Sequence, residues 1–139
     1  AHCAAKMRCI RRERSGSRLV TGLLTLVLSR MARRHGGYVG KTAVIEGFLS
    51  LPHGLHGVYI SRYARIGSGC RIYQNVTIGE VEGKAPQIGR NCLIGAGAVV
   101  VGGIRIGDGV KIGAGAVVHT DVPAGSTVVA PPPRIIRRE

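Results

Sequence analysis

The run Ile88-Gly89-Arg90-Asn91-Cys92-Leu93, followed at once by Ile94-Gly95-Ala96-Gly97-Ala98-Val99, decides the fold, because it repeats every six residues. Towards the C-terminus the aliphatic position returns at Val100, Ile106, Ile112 and Val118, then weakens at Ala124 and Ala130. Towards the N-terminus it returns, across an irregular interval, at Ile78, Ile72, Ile66 and Ile60. A small or modest residue stands four places after it, as at Ala64, Cys70, Val76, Cys92 and Ala98, and glycine often follows it directly. A period of six fits neither a helix of 3.6 residues per turn nor plain two-residue alternation between hairpin turns. It suits a short strand, a turn and another short strand. Three such faces close a coil of eighteen residues, and coils stacked at the ~4.8 Å spacing of a sheet place Ile on Ile.

Composition agrees with a narrow aliphatic core. The 139 residues include 22 glycines and only five aromatics, four Tyr and one Phe, so the bulk inside must come from Ile, Val, Leu and Ala. Glycine is abundant without a Gly-X-Y period, which excludes collagen, and the 45% hydrophobic content excludes a disordered chain. One domain is expected at this length. The longest mainly apolar run, Leu19 to Leu28, is far short of the ~20 residues that span a bilayer. No small-x-small cleavage site follows that run, so a secretion signal is not expected and a cytoplasmic location is.

The net charge of +13 is unevenly placed: residues 1–34 carry +8, residues 35–133 carry +3 and the last six carry +2. The chain therefore divides into a basic arm with an amphipathic helix (1–35), a repeat domain (36–130) and a basic tail (131–139). Arg18 to Arg34 reads as one helix, with Leu19, Leu23, Leu26 or Val27, and Arg30 or Met31 forming the apolar stripe and Gly36-Gly37 ending it. Such a stripe packs on the repeat domain or at a subunit contact. The alternative is a weak membrane-surface contact through residues 1–34. Residues 1–17 are expected to be poorly ordered. Nucleic acid is not expected as a partner, since the arm lacks stacking aromatics and any recognised module. Four cysteines without a CxxC pair support neither a disulfide framework nor a metal site.

The units Ile88-Gly89-Arg90-Asn91-Cys92-Leu93, Ile94-Gly95-Ala96-Gly97-Ala98-Val99 and Ile106-Gly107-Asp108-Gly109-Val110-Lys111 resemble those of the hexapeptide-repeat acyltransferases over roughly residues 45–136. That resemblance implies an all-β fold, a left-handed parallel β-helix of triangular section, preceded here by the short N-terminal helix. The left hand comes from the resemblance alone, because the general rule for parallel crossovers gives a right-handed coil. Three strings are similar to the serine O-acetyltransferase branch and its sugar-modifying relatives: His53-Gly54-Leu55-His56-Gly57-Val58-Tyr59-Ile60-Ser61, Tyr73-Gln74-Asn75-Val76-Thr77-Ile78-Gly79, and Asp121-Val122-Pro123-Ala124-Gly125-Ser126-Thr127-Val128-Val129. The resemblance further implies acetyl-CoA as co-substrate, a small-molecule acceptor, no metal and a homotrimer. Trimerisation has a physical motive, since a small prism exposes aliphatic surface on its flat faces.

Acyl transfer from a thioester to a hydroxyl needs a base that works near neutral pH, for which histidine is suited. Of five histidines, His2 lies in the arm, His35 ends the helix and His119 sits late in the coils, leaving His53 and His56 in a segment that breaks the register. In the relatives resembled, the catalytic histidine stands four residues before the Gly that precedes the aliphatic strand, and His53 has that spacing to Gly57. His56 is then a rim residue touching the acceptor. A general base needs an orienting partner on its other ring nitrogen. Glu46, the acid upstream of His53 within a coil's length, is the candidate.

Carried over position by position, Gly79, Ala96 and Ala114 are the expected backbone contacts of the pantetheine arm, with Lys111, Arg134 and Arg137 meeting the phosphates. Ala96 and Ala114 are one full coil apart, as a groove requires. The interval from Ile78 to Ile88 carries four extra residues, a loop over the acceptor site with Lys84 as a substrate contact. Here the chain departs from true serine O-acetyltransferases, which resemble one another in an Asp before the catalytic histidine and an Arg-His pair on the loop. This sequence has Pro52 and Lys84-Ala85, and their long helical N-terminal domain is not expected in it. The expected acceptor is therefore a sugar hydroxyl or amine. Serine O-acetylation in cysteine biosynthesis is the alternative, and a non-catalytic β-helix scaffold the second. A zinc carbonic anhydrase of this fold would need three clustered histidines, and none lies between His56 and His119.

Overall fold

The structure is a computed structural model that describes residues 5–8, 26–27 and 29–137. From Tyr38 onwards the chain winds through about four coils of a left-handed parallel β-helix. Fourteen short strands build its three faces. Face A holds β4 (Phe48–Leu51), β7 (Cys70–Ile72), β10 (Leu93–Ile94), β13 (Lys111–Ile112) and β15 (Thr127–Val128). Face B holds β2 (Tyr38–Val39), β5 (Tyr59–Ile60), β8 (Thr77–Gly79), β11 (Val99–Val101) and β14 (Val117–Val118). Face C holds β3 (Val44–Ile45), β6 (Arg65–Ile66), β9 (Gln87–Ile88) and β12 (Arg105–Ile106).

Register explains the period. In a regular coil Leu93 pairs with Lys111 and Val99 with Val117, eighteen residues on, so each hexad fills one face. Two coils are longer. Leu49 pairs with Cys70 because the turn 52–57 bulges between faces A and B, and Arg65 pairs with Gln87 because residues 80–86 bulge between faces B and C. The repeat aliphatics Ile60, Ile66, Ile72, Ile78, Ile94, Val100 and Ile112 are all buried, and so are the smaller residues two places before them, such as Cys70, Val76, Cys92 and Ala98. Both series point inwards because a strand of period two turns alternate side chains to one side. Repeat position 124 and position 130 are exposed alanines, which is where the core ends.

Glycine serves two separate needs here. Gly97, at φ 68°, supplies the left-handed corner that Asn75 provides one coil below at φ 57°. Gly95 instead allows close stacking: a Cβ there would lie 2.6 Å from the backbone nitrogen of Ala114. The cysteines Cys70 and Cys92 are free buried thiols in neighbouring coils, donating to the carbonyls of Gly89 at 3.1 Å and Gly107 at 3.2 Å. Hydrogen bonding with Cys92, then burial, pushes the Cys70 thiol above its usual range.

Two expectations for the N-terminus change. Within the segment expected to be poorly ordered, residues 5–8 form β1 (Ala5–Arg8), antiparallel to β4. The first coil leaves the edge of face A unpaired, and an added strand satisfies it. The rest of 1–17 lies outside the described residues. The helix is present at 26–27 and 29–34, but Leu26, Val27 and Met31 of the expected stripe are exposed. Ala32 and Ser29 face the core instead, with Ser29 Oγ donating to Val39 O at 3.3 Å. Small residues let the helix come close enough to cap the first coil. Leu19 and Leu23 lie outside the described residues. No helix among the described residues is long and apolar enough to cross a membrane.

Candidate active site

The turn 52–57 is built to present a side chain. Gly54 and Gly57 take positive φ values of 69° and 63°, and Leu55 between them is buried as an anchor. Gly57 N donates to His35 O at 3.0 Å, and the carbonyl of His56 accepts from Asn75 N in the next coil at 2.9 Å. Backbone bonds thus pin the turn from below and above while His53 stays exposed.

The ring of His53 is held by the coil above. Its Nδ1 lies 2.7 Å from Gln74 Oε1, and the Tyr73 ring meets it edge-on at 5.7 Å between centroids. An amide oxygen only accepts, so with Gln74 Oε1 facing the ring the contact calls for the proton on Nδ1, and a neutral ring held this way has its lone pair on Nε2. That tautomer is the one a general base requires. Glu46, expected as the orienting partner, sits between β3 and β4 at the corner of faces C and A, a full face away from the turn. It lines a shallow groove of about 770 Å³ on face C with Arg65, Gln87, Arg105 and Asp121, and His53 is not part of that groove. Gln74 was legible in principle: it follows His53 by one coil plus the length of the bulge, which returns the chain to the same corner.

The edge between faces A and B collects half of the remaining site residues. Gly97 N donates to Gln74 O and Gly115 N to Ala96 O, so His53, Gln74, Ala96 and Ala114 follow one another up a single edge. Ala96 and Ala114 leave backbone accessible there, and Lys111 is exposed on β13 just before the corner. His56 is on this edge too, its ring 4.5 Å from that of His35 at the end of the helix.

Other expected residues lie elsewhere. Gly79 is buried at the end of β8, on the edge between faces B and C. Lys84 is on the same edge, in a tight hairpin closed by reciprocal Val81–Lys84 backbone bonds of 2.9 and 3.0 Å. Glu80 accepts a hydrogen bond from the buried hydroxyl of Ser61 and fixes the base of that hairpin. Arg134 and Arg137 are exposed in the irregular tail. Among the described residues no three His, Cys, Asp or Glu side chains converge as metal ligands would.

Comparison with known proteins agrees with this architecture. Residues 85–120 match the family model described as bacterial transferase hexapeptide (six repeats). The chain is 41% identical over 122 residues to a serine acetyltransferase of Staphylococcus xylosus, covering 84% of this chain and 56% of that one. Among solved structures, serine acetyltransferase isoform 3 of Entamoeba histolytica in complex with cysteine superposes with a TM-score of 0.72 at 29% identity, over 86% of this chain and 51% of that one. Serine acetyltransferase of Neisseria gonorrhoeae gives a TM-score of 0.71 at 34% identity, over 86% and 47%. The chain spans about half the length of these relatives. Its repeat and its left-handed coils are those of the hexapeptide-repeat transferases, whose family model it matches over residues 85–120.

Proposed function

We propose that this chain transfers an acetyl group from acetyl-CoA to the hydroxyl of a small acceptor, with His53 as general base. The 2.7 Å contact of His53 Nδ1 with Gln74 carries the reading, because it leaves Nε2 unprotonated on an open edge. Nε2 takes the acceptor's proton as its oxygen attacks the thioester carbonyl, and returns it to the sulfur as the C–S bond breaks. The acetyl group moves from sulfur to oxygen and the proton from oxygen to sulfur, so nothing else is consumed. The pantetheine arm lies along Ala96 and Ala114, with Lys111 near the phosphates.

Serine is the acceptor favoured by the names of the relatives, in place of the sugar hydroxyl expected from the sequence. A sugar remains the second reading, because Pro52 and Lys84-Ala85 stand where serine O-acetyltransferases resemble one another in acidic and basic groups for the amino acid. Assembly as a trimer belongs to the same proposal. The outward side chains of face B (Tyr38, Tyr59, Thr77, Val99 and Val117) carry no charge, and Tyr38 stacks on Tyr59 at 5.1 Å. His53 and Lys84 flank that face on opposite edges, so packing through it would bring the hairpin of one copy towards His53 of the next. The test is release of free thiol from acetyl-CoA with serine and with sugars, in the native chain and in His53→Ala. Transfer to any of them that survives the substitution would remove His53 from the mechanism.

A further inference from the structure

Among the described residues, acidic side chains avoid one edge of the prism. Glu46 and Asp108 lie on the corner between faces C and A, while Glu80, Glu82 and Asp121 lie between faces B and C. The edge between faces A and B, at residues 52–58, 73–76, 95–98 and 113–116, carries no carboxylate. It carries His53, His56 and, from the end of the helix, His35. The His35 and His56 rings meet edge-to-face at 4.5 Å, both are exposed, and no hydrogen bond among the described residues occupies them. Backbone contacts fix both: Gly57 N is bonded to His35 O, and the turn bearing His56 also bears His53. Each imidazole has an N–H to donate in either protonation state, so the pair sets two donors side by side from separate elements. Within one copy, an ammonium placed here would find no counter-charge among the described residues, whereas an anion would find donors, and hydrogen bonds to charged groups are the strong ones.

We propose that His35 and His56 hold an anionic group of the acceptor, a carboxylate or a phosphate, beside the hydroxyl that His53 deprotonates. The inference rests on the acetyl-transfer reading and adds the acceptor's class: a hydroxyl compound with an anion and no need of an ammonium group. Serine is then held through its carboxylate alone, and a hydroxy acid of the same carbon skeleton is the better acceptor.

The experiment measures kcat/KM for thiol release with the full chain and five acceptors: serine, serinamide, glycerate, glucose and glucose 1-phosphate. Glycerate should exceed serine, and serine should exceed serinamide by about tenfold, the worth of a charge-assisted hydrogen bond. A preference for glucose 1-phosphate over both glucose and glycerate would assign the anion as phosphate; the reverse order assigns a carboxylate. His35→Asn and His56→Asn should each shrink the anionic-to-neutral ratio, whereas His56→Arg should keep it. Equal use of serine and serinamide, with glucose and its phosphate also equal, would overturn the proposal. So would Asn variants that lower all acceptors alike, which marks a merely structural pair. The native comparison needs no variant, so misfolding of a mutant cannot shield the idea. No transfer to any acceptor, together with no acetyl-CoA binding by calorimetry, would sink the underlying acetyl-transfer reading instead.

Discussion

Nδ1 of His53 and Oε1 of Gln74, 2.7 Å apart, join two successive coils across the edge between faces A and B. A side chain from the second coil thereby sets the tautomer of a ring carried by the first. The His53 ring is oriented by a neutral amide, not a carboxylate, so it gains direction without a fixed negative charge beside it.

Removal of the base is the sharpest test. His53→Ala should lower kcat by about 10²–10⁴-fold, the usual contribution of general-base catalysis. Its melting temperature should stay close to that of the native chain, because the ring is exposed. Steady-state kinetics and a thermal melt together decide this.

Gln74 should matter through His53. Gln74→Ala removes one hydrogen bond and should cost roughly fivefold in kcat/KM, in line with ~1 kcal/mol for a neutral bond. Gln74→Glu keeps an acceptor oxygen but adds a negative charge, which favours the imidazolium. The basic form of His53 would then appear only at higher pH, and the acidic limb of the pH–rate profile should move upwards. An unmoved limb would mean that Gln74 does not orient the base.

The core predicts large losses from small truncations. Ile78 and Ile94 are fully buried in neighbouring coils, and replacing either by Ala should cost about 2–5 kcal/mol in chemical denaturation. Gly95→Ala should be as damaging for another reason, since its Cβ would press on the backbone of Ala114, which cannot rotate away. Because that contact lies on the edge assigned to the pantetheine arm, the variant should also weaken acetyl-CoA binding. Gly97→Ala faces open space and should lose only the ~1–2 kcal/mol of a left-handed backbone.

The buried thiols give a signature in pH. Cys70 holds its proton more tightly folded than unfolded, whereas the hydrogen bond with Cys70 lowers its neighbour Cys92 to about 7, so the two oppose each other: Cys92 acts up to the ordinary thiol range and Cys70 alone acts above it. Stability from this group is present below the ordinary thiol range and declines above it. Urea midpoints should fall on going to alkaline pH, and Cys70→Ser should flatten that slope. Cys70 and Cys92 should also resist thiol reagents until the chain is unfolded.

The repeat itself made the core legible. Ile60, Ile66, Ile72 and Ile78 are spaced so that only a three-faced coil buries them all, and the near absence of aromatics left no other filling. His53 was legible from its motif, and the two bulges were legible as interruptions of the period. Partnerships across coils were not. Gln74 and Glu46 are equally plausible orienting groups along the chain, and the second lies nearer in sequence. The corner each occupies, set by where the bulge at 52–57 adds its residues, separates them by a face. The helix misled for a related reason: Leu26, Val27 and Met31 form a regular stripe, yet the end of the first coil accepts only the close approach of Ser29 and Ala32.

By itself, then, the sequence determined the coil, its aliphatic filling and the histidine at its bulge, because each follows from period and residue size. Only the tertiary structure decided which side chains share an edge, since that depends on register summed over every preceding coil. It gathered His35, His53, His56 and Gln74 from the helix end and two coils, and it sent every described carboxylate to the other two edges. Side chains far apart in the chain become neighbours there because stacked backbones fix their spacing at the hydrogen-bond repeat of a sheet.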